Sequence, residues 1–150
     1  MLFQVKIKKL SPTATIPTWG SKYAAGADLY ADNQNSPFPI KIRPLETVII
    51  PLGFSTEFDP SHAAFIYARS GLASKKGLAP ANKVGVIDAD YRGEWKVALH
   101  NHSDETQYIE HGERIAQVVF KEVEHPEFVD VEELTETERG AGGFGSTGTH

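Results

Sequence analysis

Prolines at positions 44, 51 and 60 break the middle of this chain into pieces too short for an ordinary helix. Proline has no amide N–H to donate, and its ring clashes with the turn before it. The pieces between, residues 45–50 and 53–58, read as short strands, and the apolar run 63–68 reads as another. Near the start, Phe3, Val5 and Ile7 alternate with Gln4, Lys6 and Lys8, the period of a strand with one face toward a core. Residues 11–20, with Pro12, Pro17 and Trp19, read as loop, and residues 33–39 are rich in turn formers. Strands this short and this often interrupted predict an all-β sandwich, jelly roll or barrel. A length of 150 residues suits one domain with a single core.

Composition narrows the classes of function. A net charge of −5 argues against a broad nucleic-acid surface, which needs a basic excess. There is no cysteine, so disulfides and thiolate metal sites are excluded. Residues 1–10 alternate lysine with apolar residues and hold no long apolar run. They suit neither a signal peptide nor a membrane span, so the expected location is inside the cell, cytoplasmic, or nuclear in a host cell if the source is viral.

Several stretches carry side chains with chemistry to offer. In residues 85–94, the turn formers Gly85 and Gly93, with Asn82 just before, bracket Val86, Ile87 and a polar tip. The pattern predicts a β-hairpin. Asp88 follows two branched apolar residues and could act as a general base, with the Tyr91 ring available to pack on a flat ligand; a plain hairpin with a solvated tip fits the same pattern. Asp28 sits among small residues in 24–30 that let backbone approach closely, and taken alone it reads first as a turn former. Residues 69–76 read as a short helix after the strand at 63–68. Ser70 and Gly71 then leave free backbone N–H groups beside Arg69, which makes either an anion site or a capped surface helix. No glycine-spaced loop ending in Gly-Lys-Ser/Thr is present.

Farther on, Trp95, Val97 and Leu99 alternate with Lys96, Ala98 and His100. His100 and His102 could share a metal, but no third ligand lies near them in sequence. Residues 112–120 are apolar on both faces, as a central strand is, and Gln117 is the polar exception that needs a partner. The acidic stretch 132–138 reads as a solvated linker. Beyond it, residues 139–148 hold five glycines with Arg139, Phe144, Ser146 and Thr147. That composition makes a mobile segment, with parts suited to phosphates and to stacking on a base.

Five of these stretches resemble, in order and in spacing, the homotrimeric dUTP pyrophosphatases (dUTPases). They are AGADL at 25–29, RSGLA at 69–73, GVIDADYRGE at 85–94, GERIAQ at 112–117 and RGAGGFGSTG at 139–148. Ala68 and His111 depart from the family, which often has proline there. The resemblance implies a jelly-roll β-barrel over residues 1–138 with one short helix, and a mobile glycine-rich tail, 139–150, that covers the substrate. It implies a homotrimer whose sites are shared between subunits, and no membrane or nucleic-acid partner. The implied reaction is hydrolysis of dUTP to dUMP and pyrophosphate. Arg69, Ser70, Gly71 and Gln117 would hold the phosphates with Arg139, Gly145, Ser146 and Thr147 of the tail, while Phe144 covers the base. Asn82 and the backbone of Gly85, Val86, Ile87 and Lys96 would read the uracil edge, and Tyr91 would exclude a 2′-hydroxyl. Mg2+ would bridge the phosphates, with Asp28 reaching it through water. Asp88 would activate the attacking water.

The same fold leaves two other readings, a dCTP deaminase and a catalytically silent nucleotide-binding trimer. The first would need a glutamate beside the target base and a changed recognition stretch. The second would be signalled by loss of the aspartate or the tail, and both are present.

Overall fold

The computed structural model describes residues 3–34 and 36–143. It is almost entirely β: β1 Lys6–Lys9, β2 Thr18–Trp19, β3 Ala27–Tyr30, β4 Ile40–Ile42, β5 Thr47–Pro51, β6 Phe54–Glu57, β7 His62–Tyr67, β8 Leu78–Pro80, β9 Gly85–Ile87, β10 Lys96–Asn101, β11 Gln107–Ile109 and β12 Arg114–Glu122. One helix, α1 Ser70–Lys76, interrupts them. It ends on Gly77 in the left-handed region, φ 66°, whose N–H donates back to the Leu72 carbonyl.

Every strand pairing described is antiparallel. The largest sheet runs β2-β3-β12-β7-β9, a second runs β5-β10-β8, and the pairs β1-β6 and β4-β11 complete the barrel. The inward faces meet in one core around Trp95, Phe54, Leu29, Leu52, Ile115 and Val118, all essentially inaccessible to solvent. Burying each such side chain contributes on the order of 1.5–3 kcal/mol. Trp95, Val97 and Leu99 point inward and their neighbours do not, as the alternation requires. β12 lies between β3 and β7, the central place its two apolar faces predict.

Two local expectations are corrected. The stretch 11–20 contains a two-residue strand, β2, because Thr18 and Trp19 pair with Asp28 and Ala27 at the sheet edge. The stretch 85–94 is not a self-paired hairpin. β9 pairs with β7, whereas β10 pairs with β5 and β8 in another sheet. The cause is Trp95, whose N–H donates to the Phe54 carbonyl and whose carbonyl accepts from Leu52, 2.9 Å each. Those bonds draw the returning chain away from β9. After β12 the chain runs exposed from Glu124 through Ala141, with Phe128, Val129, Val131 and Leu134 turned to solvent. No helix among the described residues is long and apolar enough to cross a membrane.

Candidate functional site

The antiparallel register sets Asp28 of β3 beside Gln117 of β12, and Gln117 beside Tyr67 at the end of β7. Arg69 follows immediately, at the start of α1. These elements enclose a cleft of about 300 Å³ lined by Gly20, Ser21, Ala24, Gly26, Asp28, Arg69, Ser70, Gly71, Arg114 and Gln117.

Asp28, only 8% exposed, is the electrostatic centre of this cleft. Its Oδ1 accepts from Arg69 Nε at 2.8 Å and its Oδ2 from Arg114 Nη1 at 3.2 Å. Two cations and one anion leave the cleft net positive. Gln117 Nε2 donates to the Ala68 carbonyl at 2.9 Å, and a Cβ at Gly26 would stand 2.6 Å from Gln117 Oε1. Gly26 is therefore glycine to make room for the glutamine. At Gly71 an added Cβ would meet nothing within 4 Å, and the backbone there is not in the left-handed region. Nothing among the described residues demands glycine at that position, and its backbone lies open to close approach. The first bond of α1 runs from Ala73 N–H to the Arg69 carbonyl, so the Ser70 and Gly71 N–H groups face outward as donors.

A second cleft, of about 220 Å³, is lined by Val86, Ile87, Asp88, Tyr91, Glu94 and Lys96. Gly85 is buried because β9 lies tight on β7, where an added Cβ would stand 3.3 Å from both Ile66 Cβ and Asn82 Nδ2. Beyond it, a turn closed by Tyr91 N–H to the Asp88 carbonyl at 3.1 Å leaves the Asp88 side chain exposed. The Tyr91 hydroxyl donates to the Glu94 carbonyl at 3.2 Å, laying the ring across Gly93. Arg92 Nη1 braces the tip from beneath, donating to the Ala89 carbonyl at 2.7 Å. Asn82 stands exposed in a tight turn in which Lys83 takes a positive φ of 65°.

The two clefts share no lining residue. Ile87 lies opposite Ala64, so Asp88 stands level with Ala63 near the start of β7. Arg69 comes six residues later, past the other end of that strand. At the rise of an extended chain the separation along β7 is ~20 Å.

Of the expected site residues, Asp28, Arg69, Ser70, Gly71 and Gln117 are brought together in the first cleft, and Val86, Ile87, Asp88, Tyr91 and Lys96 in the second. Arg139 is exposed and donates through Nε to the Gly142 carbonyl at 2.8 Å. Phe144, Gly145, Ser146 and Thr147 lie outside the described residues. Arg114 was missed. No sequence signal marks it, because the register slip between Arg114 and Ala116 is set by the pairing with β3.

The donor set also bears on a metal. No cluster of three or more His, Asp or Glu suited to an ion occurs among the described residues, so His100 and His102, whose rings meet at 4.4 Å, gain no third ligand. In the first cleft Asp28 is the lone carboxylate, and each of its oxygens accepts a single bond, leaving lone pairs free. That would fit a cation met through its hydration water by Asp28, and does not fit a cage built from protein.

A β-barrel with outward amides, two guanidinium groups and a glutamine around one open cleft presents donors and positive charge suited to an anion. A family model described as dUTPase matches residues 12–148, and the chain belongs to that family. A protein of Nautilia profundicola named deoxyuridine 5'-triphosphate nucleotidohydrolase is 48% identical over 145 residues, covering 97% of this chain and 99% of that one. One of the same name from Rickettsia felis is 47% identical over 146 residues, covering 97% of each. Among solved structures, the Staphylococcus bacteriophage 80alpha dUTPase with dUPNHPP superposes with a TM-score of 0.85 at 28% identity, covering 97% of this chain and 98% of that one.

Proposed function

We propose that this chain hydrolyses dUTP to dUMP and pyrophosphate, limiting uracil in DNA and supplying dUMP for thymidylate synthesis. The observation that carries the reading is the first cleft, where outward amides, Arg69 and Gln117 meet over open space at Gly71 in a chain of this family.

Asp88 takes a proton from a water, whose oxygen forms a new bond to the α-phosphorus. The bond from that phosphorus to the bridging oxygen breaks, and pyrophosphate leaves with the electron pair. Arg69, Gln117 and the Ser70 and Gly71 amides hold the phosphate oxygens and stabilise the charge that builds on them. Mg2+ bound to the triphosphate would add Lewis-acid stabilisation, with Asp28 reaching its hydration shell. Asn82 and the backbone of Gly85, Val86, Ile87 and Lys96 read the uracil edge, and Tyr91 packs on the sugar. Residues 139–150 close over the substrate, bringing Arg139, Gly145, Ser146 and Thr147 to the phosphates and Phe144 to the base, from a domain of residues 1–138 whose last strand ends at Glu122.

A water held by Asp88 and a phosphorus held by Arg69 cannot be ~20 Å apart. The site therefore joins the first cleft of one subunit to the second cleft of another, as in a homotrimer. The exposed Phe128, Val129, Val131 and Leu134 support assembly, since apolar side chains in such a run call for a partner. Nucleic acid and membrane play no part in this reading, which places the enzyme inside the cell, in the cytoplasm, or in the nucleus of a host cell if the source is viral.

The test is pyrophosphate release from dUTP, dCTP and UTP by the purified protein. Turnover of dUTP well above the other two is expected. Ammonia release from dCTP, or silence toward all three, would sink the proposal.

A further inference from the structure

The ladder partners in β12 reveal where Arg114 points. Arg114 lies opposite Tyr30, Ala116 opposite Leu29 and Gln117 opposite Asp28, with the register slipping between Arg114 and Ala116. In a regular strand, residues three apart face opposite sides of the sheet. Here the bulge absorbs Ile115, and Ile115 and Ala116 are both fully buried. Arg114 consequently emerges on the same face as Gln117, in the phosphate cleft. Bulges commonly re-aim a side chain in this way next to an active site.

Once there, Arg114 is lightly held. Its side chain is 50% exposed, and its ion pair with Asp28 is one contact at 3.2 Å. A guanidinium has five N–H donors, so most of the fork stays open. Half-exposed pairs of one contact are weak. Arg69, by contrast, holds the other Asp28 oxygen at 2.8 Å with its side chain 27% exposed, so Asp28 keeps a charged partner when Arg114 leaves.

We propose that Arg114 is a phosphate-binding residue, parked on Asp28 in the free enzyme and transferred to the β- and γ-phosphates when the triphosphate enters. Asp28 then serves as a stand-in anion that keeps Arg114 aimed at the cleft. The exchange replaces one carboxylate contact with phosphate oxygens of greater charge, to which an arginine fork can bond twice. Arg114 thereby favours the triphosphate over the monophosphate product. This inference rests on the hydrolase reading above, because the ligand is the same nucleotide.

The test begins with wild-type turnover of dUTP. Its absence would count against the hydrolase reading itself, separately from Arg114. Calorimetric titration with dUMP, dUDP and a nonhydrolysable imido analogue of dUTP then compares the wild type with Arg114→Gln and Arg114→Lys. Arg114→Gln should weaken the imido analogue about 10-fold or more, dUDP less, and dUMP by less than about 2-fold. Arg114→Lys should recover part of the loss. Equal weakening of all three nucleotides would show a merely structural role and overturn the proposal, as would no weakening. If Arg114→Gln fails to fold, Arg114→Lys decides alone, since it keeps the charge but not the fork: a loss graded by phosphate number supports the role, and an ungraded or absent loss refutes it.

Discussion

Asp88 and Gly93 sit five residues apart, and the proposed function gives them different tasks. Asp88→Asn keeps the shape and removes the base, so turnover of dUTP should fall roughly 10²–10⁴-fold while the imido analogue still binds. Near-normal turnover would end the assignment. Gly93 carries the Tyr91 ring so closely that a Cβ there would stand 2.3 Å from the tyrosine hydroxyl oxygen. Gly93→Ala should push the ring off its place and narrow the dUTP/UTP ratio of kcat/KM, as Tyr91→Ala should. If Gly93→Ala leaves that ratio unchanged, sugar discrimination lies elsewhere. Asp88 stood out in the sequence because it follows two branched apolar residues, whereas Gly93 read only as a turn former and its contact with the Tyr91 ring came from the fold. Arg114 was not legible, because the direction of an arginine on a strand depends on a bulge that only its partners in β3 define.

At the scale of elements, proline and glycine punctuation foretold most strands, and the two-faced apolarity of 112–120 foretold the central one. The pairing of 85–94 escaped, because the bonds that divert Trp95 come from Leu52 and Phe54, more than 40 residues earlier. A pH dependence is expected just past β10, at His102. The His102 ring is held below the ordinary 6.5 by partial desolvation, then by His100 and Lys83. A base whose folded pKa is depressed favours the folded state when neutral. The stabilisation is thus complete above about pH 6.5 and is lost as pH falls through the lower folded value. Urea midpoints should drop as pH falls below about 6.5, and His102→Asn should flatten that drop. A slope unchanged by the substitution would assign it to other groups.

The whole molecule is tested by mixing. One chain carries Asp88→Asn with an intact phosphate cleft, and another carries Arg69→Gln with an intact Asp88. Each alone should be nearly inactive. Refolded together in equal amounts, with mixed trimers verified by mass, they should regain about a quarter of the wild-type sites if base and clamp come from different chains. A flat baseline in verified mixtures would show that one chain supplies both.

The length of β7, which sets Asp88 and Arg69 at opposite ends of one strand, has a consequence for dosage. On this proposal a newly made chain is inert, and activity appears only when chains meet, so output rises faster than linearly with their number at low abundance. A cell that carries one sound and one damaged copy of such a gene would lose more than half its capacity when the damage spares assembly and removes both halves of the site. Damage to a single half would instead be partly masked by a second, differently damaged copy.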